Sequence, residues 1–415
     1  MNIRTTDLRR VATEFLWRRS LLREIQYPSR ENALKSISYL IAAMPLALVV
    51  WPLAIVRSMY KSFSLHILVA ESDFGHLVEL LEFARSKLAN LPKGSLVVIQ
   101  YRYRHTALVG LYRPVIASKI VWSSRVAGLL VQAMMLLPSK LIPRYRYTIN
   151  QVDSTSIPSE PLKPSEELKV LNDKTVRALK LNSSRLVLLT VHTREYDDAR
   201  TPGSREKDRV LVSVGEELSE AIDFLKSGNT EVIRLGGRDS GVSHIPREMH
   251  RLENFGRLGG PHEVALASGC TYFWADEDGG WWLAAPFRKP VLITNKARLE
   301  MPKGRNFGPH LTVPVRFCET SGRELTFREI LTLRTHGSSP YKLAAKGELK
   351  LVRNSPSEII GAHQELLQRI EGTWKSDAIH ERLRIRISSI WSDFPHLGVP
   401  DIAASFLTSH QQLLD

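Results

Sequence analysis

Three short stretches of this chain bring together residue types suited to holding an anion, and each directly follows an apolar run. His192, Thr193, Arg194 and Glu195 come after the run 186–191. Arg234, with Gly236 and Gly237, closes the run 231–235, and Gly279 and Gly280 come soon after the run 271–274. A guanidinium makes bidentate, permanently charged contacts to phosphate oxygens, and glycines let a backbone come close to a diphosphate. A helix start adds free N–H donors and a favourable dipole. For each arginine taken singly the alternative is a surface residue or a structural ion pair, and for each glycine pair a plain turn. His76 follows Gly75 where a helical pattern begins, so its imidazole suits a general base toward an acceptor hydroxyl; capping or packing at the helix start is the alternative. Asp276, Glu277 and Asp278 invite comparison with a cation site, but neighbouring carboxylates of one tight turn need not converge on an ion, and no metal is expected. Walker-type phosphate loops, a Gly-x-Ser-x-Gly elbow and His-Glu-x-x-His do not occur.

Such loops need a scaffold that gathers them. The periodicity predicts a strand over 65–70, a helix with Leu77, Leu80, Leu81, Ala84 and Leu88 on one face, and a strand over 95–99, which together make a βαβ unit with a parallel sheet. The second half repeats the plan more clearly. Strands at 186–191, 231–235, 271–274 and 290–294 alternate with a helix bearing Leu218, Ala221, Ile222 and Leu225 and ended by Gly228, another around 264–268, and a short one over 281–285. Thr326 with Glu329 forms a capping box for a helix through Ile330 and Leu333, and Pro356, Ser357 and Glu358 open one carrying Ile359, Leu366 and Ile370. Pro158, Pro161 and Pro164 among serines and charges mark 153–167 as the linker between two α/β domains. In open parallel sheets ligands sit beyond the carboxyl ends of the strands, which is where the arginines and glycines fall.

With 415 residues, 43% hydrophobic and 24% charged, the chain is a folded protein of about two domains rather than a disordered one. Lys and Arg total 57 against 43 Asp and Glu, and the resulting +14 favours polyanionic partners such as phosphates, nucleic acid or an anionic membrane surface. Tyr101, Arg102, Tyr103, Arg104 and His105 interleave aromatic and basic side chains, but over too few residues to make a nucleic-acid surface. Cys270 and Cys318 are too few for a disulfide framework, which suits a reducing cytosol. A basic N-terminus leads into the uncharged run 36–56, which starts too late and runs too long for a signal peptide. It reads as a transmembrane helix, a shallow membrane element kinked at Pro45 and Pro52, or a core helix; Arg57 and Lys61 just beyond it argue against a full crossing. A second apolar stretch, 126–143, reads as a core helix of the first domain.

The sequence resembles a bacterial family of glycosyltransferases associated with surface-polysaccharide synthesis. The stretches carrying the likeness are 191–195, 231–236, 285–292 and 325–331, with Ser405, Phe406 and Leu407 and then Leu413 and Leu414, in that order. His192-x-Arg194 after a strand is also similar to the donor-phosphate motif of fucosyltransferase-like enzymes, in which the arginine contacts the nucleotide diphosphate. The resemblance implies a GT-B-like fold, two Rossmann-like domains facing a cleft, preceded by an apolar N-terminal helical segment. Residues 1–62 would be a basic, membrane-associating segment and 63–182 the N-terminal acceptor domain with its linker. Residues 183–345 would be the C-terminal nucleotide-sugar domain and 346–415 helices returning to the first domain. His192, Arg194, Arg234, Gly236, Gly279 and Gly280 would bind the donor, and His76 or Glu195 would take the acceptor proton. The expected partners are a nucleotide sugar, a glycan or lipid-linked acceptor and an anionic membrane surface, with no nucleic acid and no cofactor, at the cytoplasmic face of the bacterial inner membrane. One departure stands out: Asp276, Glu277 and Asp278 occupy the place of a turn of small hydroxyl residues, and their charges would repel a diphosphate. The alternative reading is a non-catalytic, membrane-associated α/β scaffold of a polysaccharide assembly complex.

Overall fold

The computed structural model describes residues 45, 65–69, 74–87, 96–100, 106–116, 120–121, 144–147, 160–181, 184–191, 215–235, 250–251, 260–276, 279–299, 301–302, 310–336, 339–395 and 397–415. The apolar runs 36–56 and 126–143 lie outside these residues, Pro45 excepted. Among the described residues no helix is long and apolar enough to cross a membrane.

Strands β1 Leu65–Val69, β2 Leu96–Gln100, β3 Ile120–Val121 and β4 Arg144–Tyr147 form a parallel sheet in the order β3-β2-β1-β4, with Leu65 opposite both Leu96 and Arg144. Helices α1 Phe74–Lys87 and α2 Thr106–Ile116 lie between successive strands, as parallel neighbours require of their connections.

A larger sheet follows. After helix α3 Glu166–Ala178 come β5 Arg185–Val191, α4 Gly215–Ser227, β6 Thr230–Arg234, β7 His250–Arg251, α5 Pro261–Gly269 and β8 Tyr272–Asp276. A 3-10 helix Gly279–Phe287, β9 Val291–Lys296, β10 Met301–Pro302 and β11 His310–Pro314 complete this run. Six of these strands are parallel, in the order β11-β9-β8-β5-β6-β7. Numbered from β5, this is the doubly wound order 3-2-1-4-5-6, which winds outward from β5 in one direction and then resumes at β8 in the other.

Sequence pattern explains the burial. Val187, Leu189 and Val191 join one core cluster with Leu218, Ala221, Ile222 and Leu225 of α4. Alternation sends Leu186, Leu188 and Thr190 to the opposite face, where α5 and the 3-10 helix contact β5. A sheet covered on both faces needs strands that are apolar throughout, so these runs do not alternate with polar residues. Each Leu or Val buried this way contributes roughly 1.5–3 kcal/mol relative to an exposed one. Helix α4 ends where expected, but the left-handed residue is Asn229, φ 53°, rather than Gly228; Asn is one of the few side chains that tolerates that backbone.

Beyond the sheet lie β12 Arg316–Cys318, α6 Phe327–Thr335, α7 Pro340–Ala345, β13 Lys350–Val352, α8 Pro356–Glu371, α9 Ala378–Ser392, β14 Leu397–Gly398 and α10 Ala404–Ser409, with antiparallel pairs β12–β13 and β10–β14. Both anticipated helix starts are in place. Thr326 and Glu329 exchange bonds as a capping box before α6, as do Ser355 and Glu358 before α8.

Two units result, and their boundaries differ from the sequence expectation. One contains β1 to β4. The other holds α1, α2 as far as Pro114, and everything described from residue 160 onward, so α3 belongs with the larger sheet rather than before a boundary at 182. Its Thr175 Oγ1 lies 2.8 Å from His262 Nδ1 of α5, and Asn172 crowds Gly269 so closely that a Cβ there would meet it at 2.8 Å. The helices of 346–415 build Ile359, Leu366, Leu383, Ile387, Phe406 and Leu413 into the core of the larger sheet. Of these, α8 covers that sheet's β9 and β11, and α10 packs between α8 and α9.

Candidate functional site

In a sheet of this order the crevice opens at the carboxyl ends of the two strands where the winding reverses, here β5 and β8. Val191, the last residue of β5, stands opposite Asp276, the last of β8, which in turn stands opposite Thr294 of β9. His192, Arg194, Glu195 and Gly236 lie outside the described residues; in sequence the first three come just after Val191, and Gly236 comes just after Leu235.

Arg234 ends β6, paired in register with Leu189, and is only 4% exposed. It is therefore no solvent-facing arginine, which removes the surface alternative. Gly279 and Gly280 are the first two residues of the 3-10 helix. Among the described residues a Cβ on Gly279 would meet nothing within 4 Å. From Gly280 to Phe287 the helix is buried, with Trp281 and Trp282 stacked at 4.5 Å. His76 is the third residue of α1, within its first turn.

Asp276 corrects the expectation of an acidic turn. It belongs to β8, is 0% exposed, and turns into the protein. One carboxylate oxygen accepts from Asn295 Nδ2 at 2.5 Å and Thr294 Oγ1 at 3.1 Å, and the other from Arg353 Nη2 at 2.8 Å. Through Nε, the same guanidinium donates to Glu217 of α4 at 2.6 Å. Burial lowers the Arg353 pKa, but Asp276 and Glu217 more than offset it, so the group is held above its ordinary range. Burial raises the Glu217 carboxyl, and Arg353 only partly counters this.

A backbone clip holds this cluster. Asn295 N–H donates to Asn354 Oδ1 at 2.5 Å, Asn354 N–H returns a bond to Asn295 Oδ1 at 2.7 Å, and Asn354 Nδ2 donates to Pro314 O at 2.7 Å. Asn295 sits at φ 51°, a left-handed conformation that Asn supports. Sequence reasoning missed Glu217, Asn295, Arg353 and Asn354. The available signals were a Thr-Asn pair closing an apolar strand and an Arg-Asn pair immediately before a capping box.

Behind the crevice, Trp274 Nε1 donates to Thr294 Oγ1 at 2.9 Å, and His363 of α8 packs edge-on to Trp274 with ring centroids 4.4 Å apart. His363 Nδ1 lies 2.8 Å from the Tyr272 hydroxyl, and burial pushes the imidazole down to about 3, which keeps it neutral. A second buried cluster joins α1 to the far end of the 3-10 helix: Glu82 receives Arg288, and the Tyr112 hydroxyl donates to Glu82 at 2.5 Å. Burial, and then the Glu82 charge, raise Tyr112 well above its ordinary range. Among the described residues no group of three or more His, Cys, Asp or Glu side chains is arranged to hold a metal ion.

No family model and no curated protein matches the chain. Several solved structures are similar to it. A glycosyl transferase of family 9 from Veillonella parvula DSM 2008 shares 11% identity over 74% of this chain and 97% of its own, at a TM-score of 0.44. The E. coli ADP-heptose LPS heptosyltransferase II shares 11% over 74% and 99%, at 0.45. The dodecameric iron-containing heptosyltransferase TibC, solved with ADP-D-β-D-heptose, shares 14% over 74% and 77%, at 0.40. With identities this low and TM-scores below one half, the α/β assignment of this chain rests on its own strand order.

Proposed function

We propose that the chain is a metal-independent glycosyltransferase of the GT-B type, moving a sugar from a nucleotide-diphosphate donor to a glycan or lipid-linked acceptor in bacterial surface-polysaccharide synthesis. The observation that carries this reading is the doubly wound order of the larger sheet, whose reversal point lies between β5, ending at Val191 just before His192 in sequence, and β8, followed by Gly279, with Arg234 ending the neighbouring strand β6. That arrangement suits a diphosphate.

In this reading His192, Arg194, Arg234 and the backbone at Gly236, Gly279 and Gly280 hold the donor phosphates. The acceptor hydroxyl oxygen attacks the anomeric carbon as His76 or Glu195 takes its proton. The bond from that carbon to the diphosphate oxygen breaks, and the positive groups stabilise the charge that the leaving diphosphate gathers. In this reading the work is done at the cytoplasmic face of the inner membrane, with residues 1–62 on the anionic surface and the β1–β4 unit serving the acceptor, a reading that the basic N-terminus supports. No cofactor enters this scheme.

The second reading, a scaffold without a donor site, is favoured by one observation: two carboxylates, Asp276 and Glu217, share a single arginine near the strand ends. Calorimetry against ADP, GDP, UDP and CDP and their sugars decides. The panel includes ADP-D-β-D-heptose, the ligand named with one of the similar structures. Binding of one nucleotide sugar in preference to the others supports the enzyme, and absence of binding across the panel sinks it.

A further inference from the structure

We propose that the corner between α8 and α9, together with the outer face of α9, is a contact surface for an anionic lipid membrane. This rests on the membrane part of the reading above, which it deepens, and needs nothing of the donor site. Among the described residues five large apolar side chains are exposed, and three of them fall here: Ile370 on the last turn of α8, and Ile379 and Ile385 on α9. Ile385 carries the most weight. Leu383, Ile387, Ile390 and Trp391 make the buried face of α9, and at about 100° per residue Ile385 stands opposite that face, 67% exposed. An isoleucine there adds nothing to the core, and Arg384 and Arg386 stand on either side of it in sequence, with Arg382 one turn before.

Charge selects the partner. Between Gly372 and Ser392 four cations, Lys375, Arg382, Arg384 and Arg386, stand against two acids, Asp377 and Glu381. Asp377 is spent as the cap of α9, accepting from the Ile379 and His380 N–H groups, and Glu381 lies 3.5 Å from Arg384. Arg386 pairs with Asp415. Lys375 and Arg382 are exposed, and among the described residues neither meets a carboxylate as an ion pair; Arg382 donates to the Ala378 carbonyl of its own helix. The corner itself is built. Trp374 lies between His380, stacked at 5.6 Å, and the Arg369 guanidinium, 5.8 Å from its ring, which fixes the two chain neighbours of those partners, Ile379 and Ile370, to one corner. Apolar side chains set among arginines sink into the boundary between headgroups and acyl chains, and the cations draw them to anionic lipid. A nucleic acid would take the cations but offer the isoleucines no apolar layer to enter. A contact of this size is reversible by itself, so it acts once residues 1–62 have brought the chain to the surface.

The test uses full-length I385C labelled with nitrobenzoxadiazole; Cys270 and Cys318 are buried, which leaves the introduced thiol to react. V170C, at the exposed Val170 of α3, is the comparison. Vesicles of phosphatidylcholine with phosphatidylglycerol should brighten the label at position 385 and shift its emission to the blue, while vesicles of phosphatidylcholine alone should not, and the label at position 170 should respond to neither. Full-length K375E/R382E, its folding checked by circular dichroism, should co-sediment with the anionic vesicles about tenfold or more weakly at low salt. Protein that sediments with those vesicles while the label at 385 stays silent overturns the proposal and leaves the N-terminal membrane reading standing. Protein that does not sediment with them overturns both. Equal responses at 170 and 385, or to the two kinds of vesicle, also overturn it, as does unchanged vesicle affinity in a folded K375E/R382E. A response at 385 to double-stranded RNA and none to vesicles overturns it in favour of a nucleic-acid partner.

Discussion

The Glu82 carboxylate of α1 receives the Arg288 guanidinium from the residue just past the 3-10 helix, and both side chains are buried. The helix whose first turn carries His76 is thereby tied to the helix that opens with Gly279, inside one structural unit. The Tyr112 hydroxyl and the Pro286 carbonyl, which accepts from Leu162 N–H at 2.7 Å, tighten the same junction.

Breaking this pair from one side should be costly. Arg288→Met leaves the buried Glu82 with Arg85, 3.6 Å away, as its remaining guanidinium, so urea unfolding should show a loss of about 3 kcal/mol. Arg288→Met combined with Glu82→Leu should recover only part of it, since the Arg85 guanidinium and the Tyr112 hydroxyl then lose their Glu82 partner.

Arg194→Ala should weaken nucleotide-diphosphate binding by about 2 kcal/mol, the worth of a charge-assisted contact, while the melting temperature stays as in wild type. Calorimetry on the tightest-binding nucleotide checks it, and unchanged affinity would remove Arg194 from the donor site.

Asn354→Ala should destabilise the larger unit by about 2–4 kcal/mol, because the buried Asn295 N–H and Pro314 carbonyl each lose their partner. Asn295→Val should also be costly, since a β-branched residue resists the left-handed backbone. Thermal and urea unfolding read both.

His363 makes stability depend on acid. Its folded pKa of about 3 lies below the ordinary 6.5, so on acidification the unfolded chain takes up the proton first. Stability should therefore fall by about 1.4 kcal/mol per pH unit from roughly pH 6.5 toward 3 on account of this residue. His363→Gln should flatten that part of the profile in urea titrations run across the same range.

Deleting residues 1–62 should move the protein from the membrane fraction to the soluble one in a sedimentation assay. A full-length protein that stays soluble at low salt without detergent would sink the membrane reading.

Local pattern determined much of this molecule. Apolar runs bounded by glycine and proline specify where β1, β2, β5, β6, β8 and β9 lie, and two capping boxes specify α6 and α8, because backbone pairing, helix starts and burial of consecutive residues are short-range demands. Arg234 and Gly279 could be placed at strand ends for the same reason. Strand order, the allocation of α1 and of the last helices, and the inward turn of Asp276 were decided only by tertiary structure. They depend on residues 77 and 136 positions apart meeting around Arg353, and on which apolar face covers which strand. Nothing in a one-dimensional pattern states that a carboxylate after an apolar run will find its arginine beside a distant capping box. A buried charge makes such a partner necessary but does not say where in the chain it is.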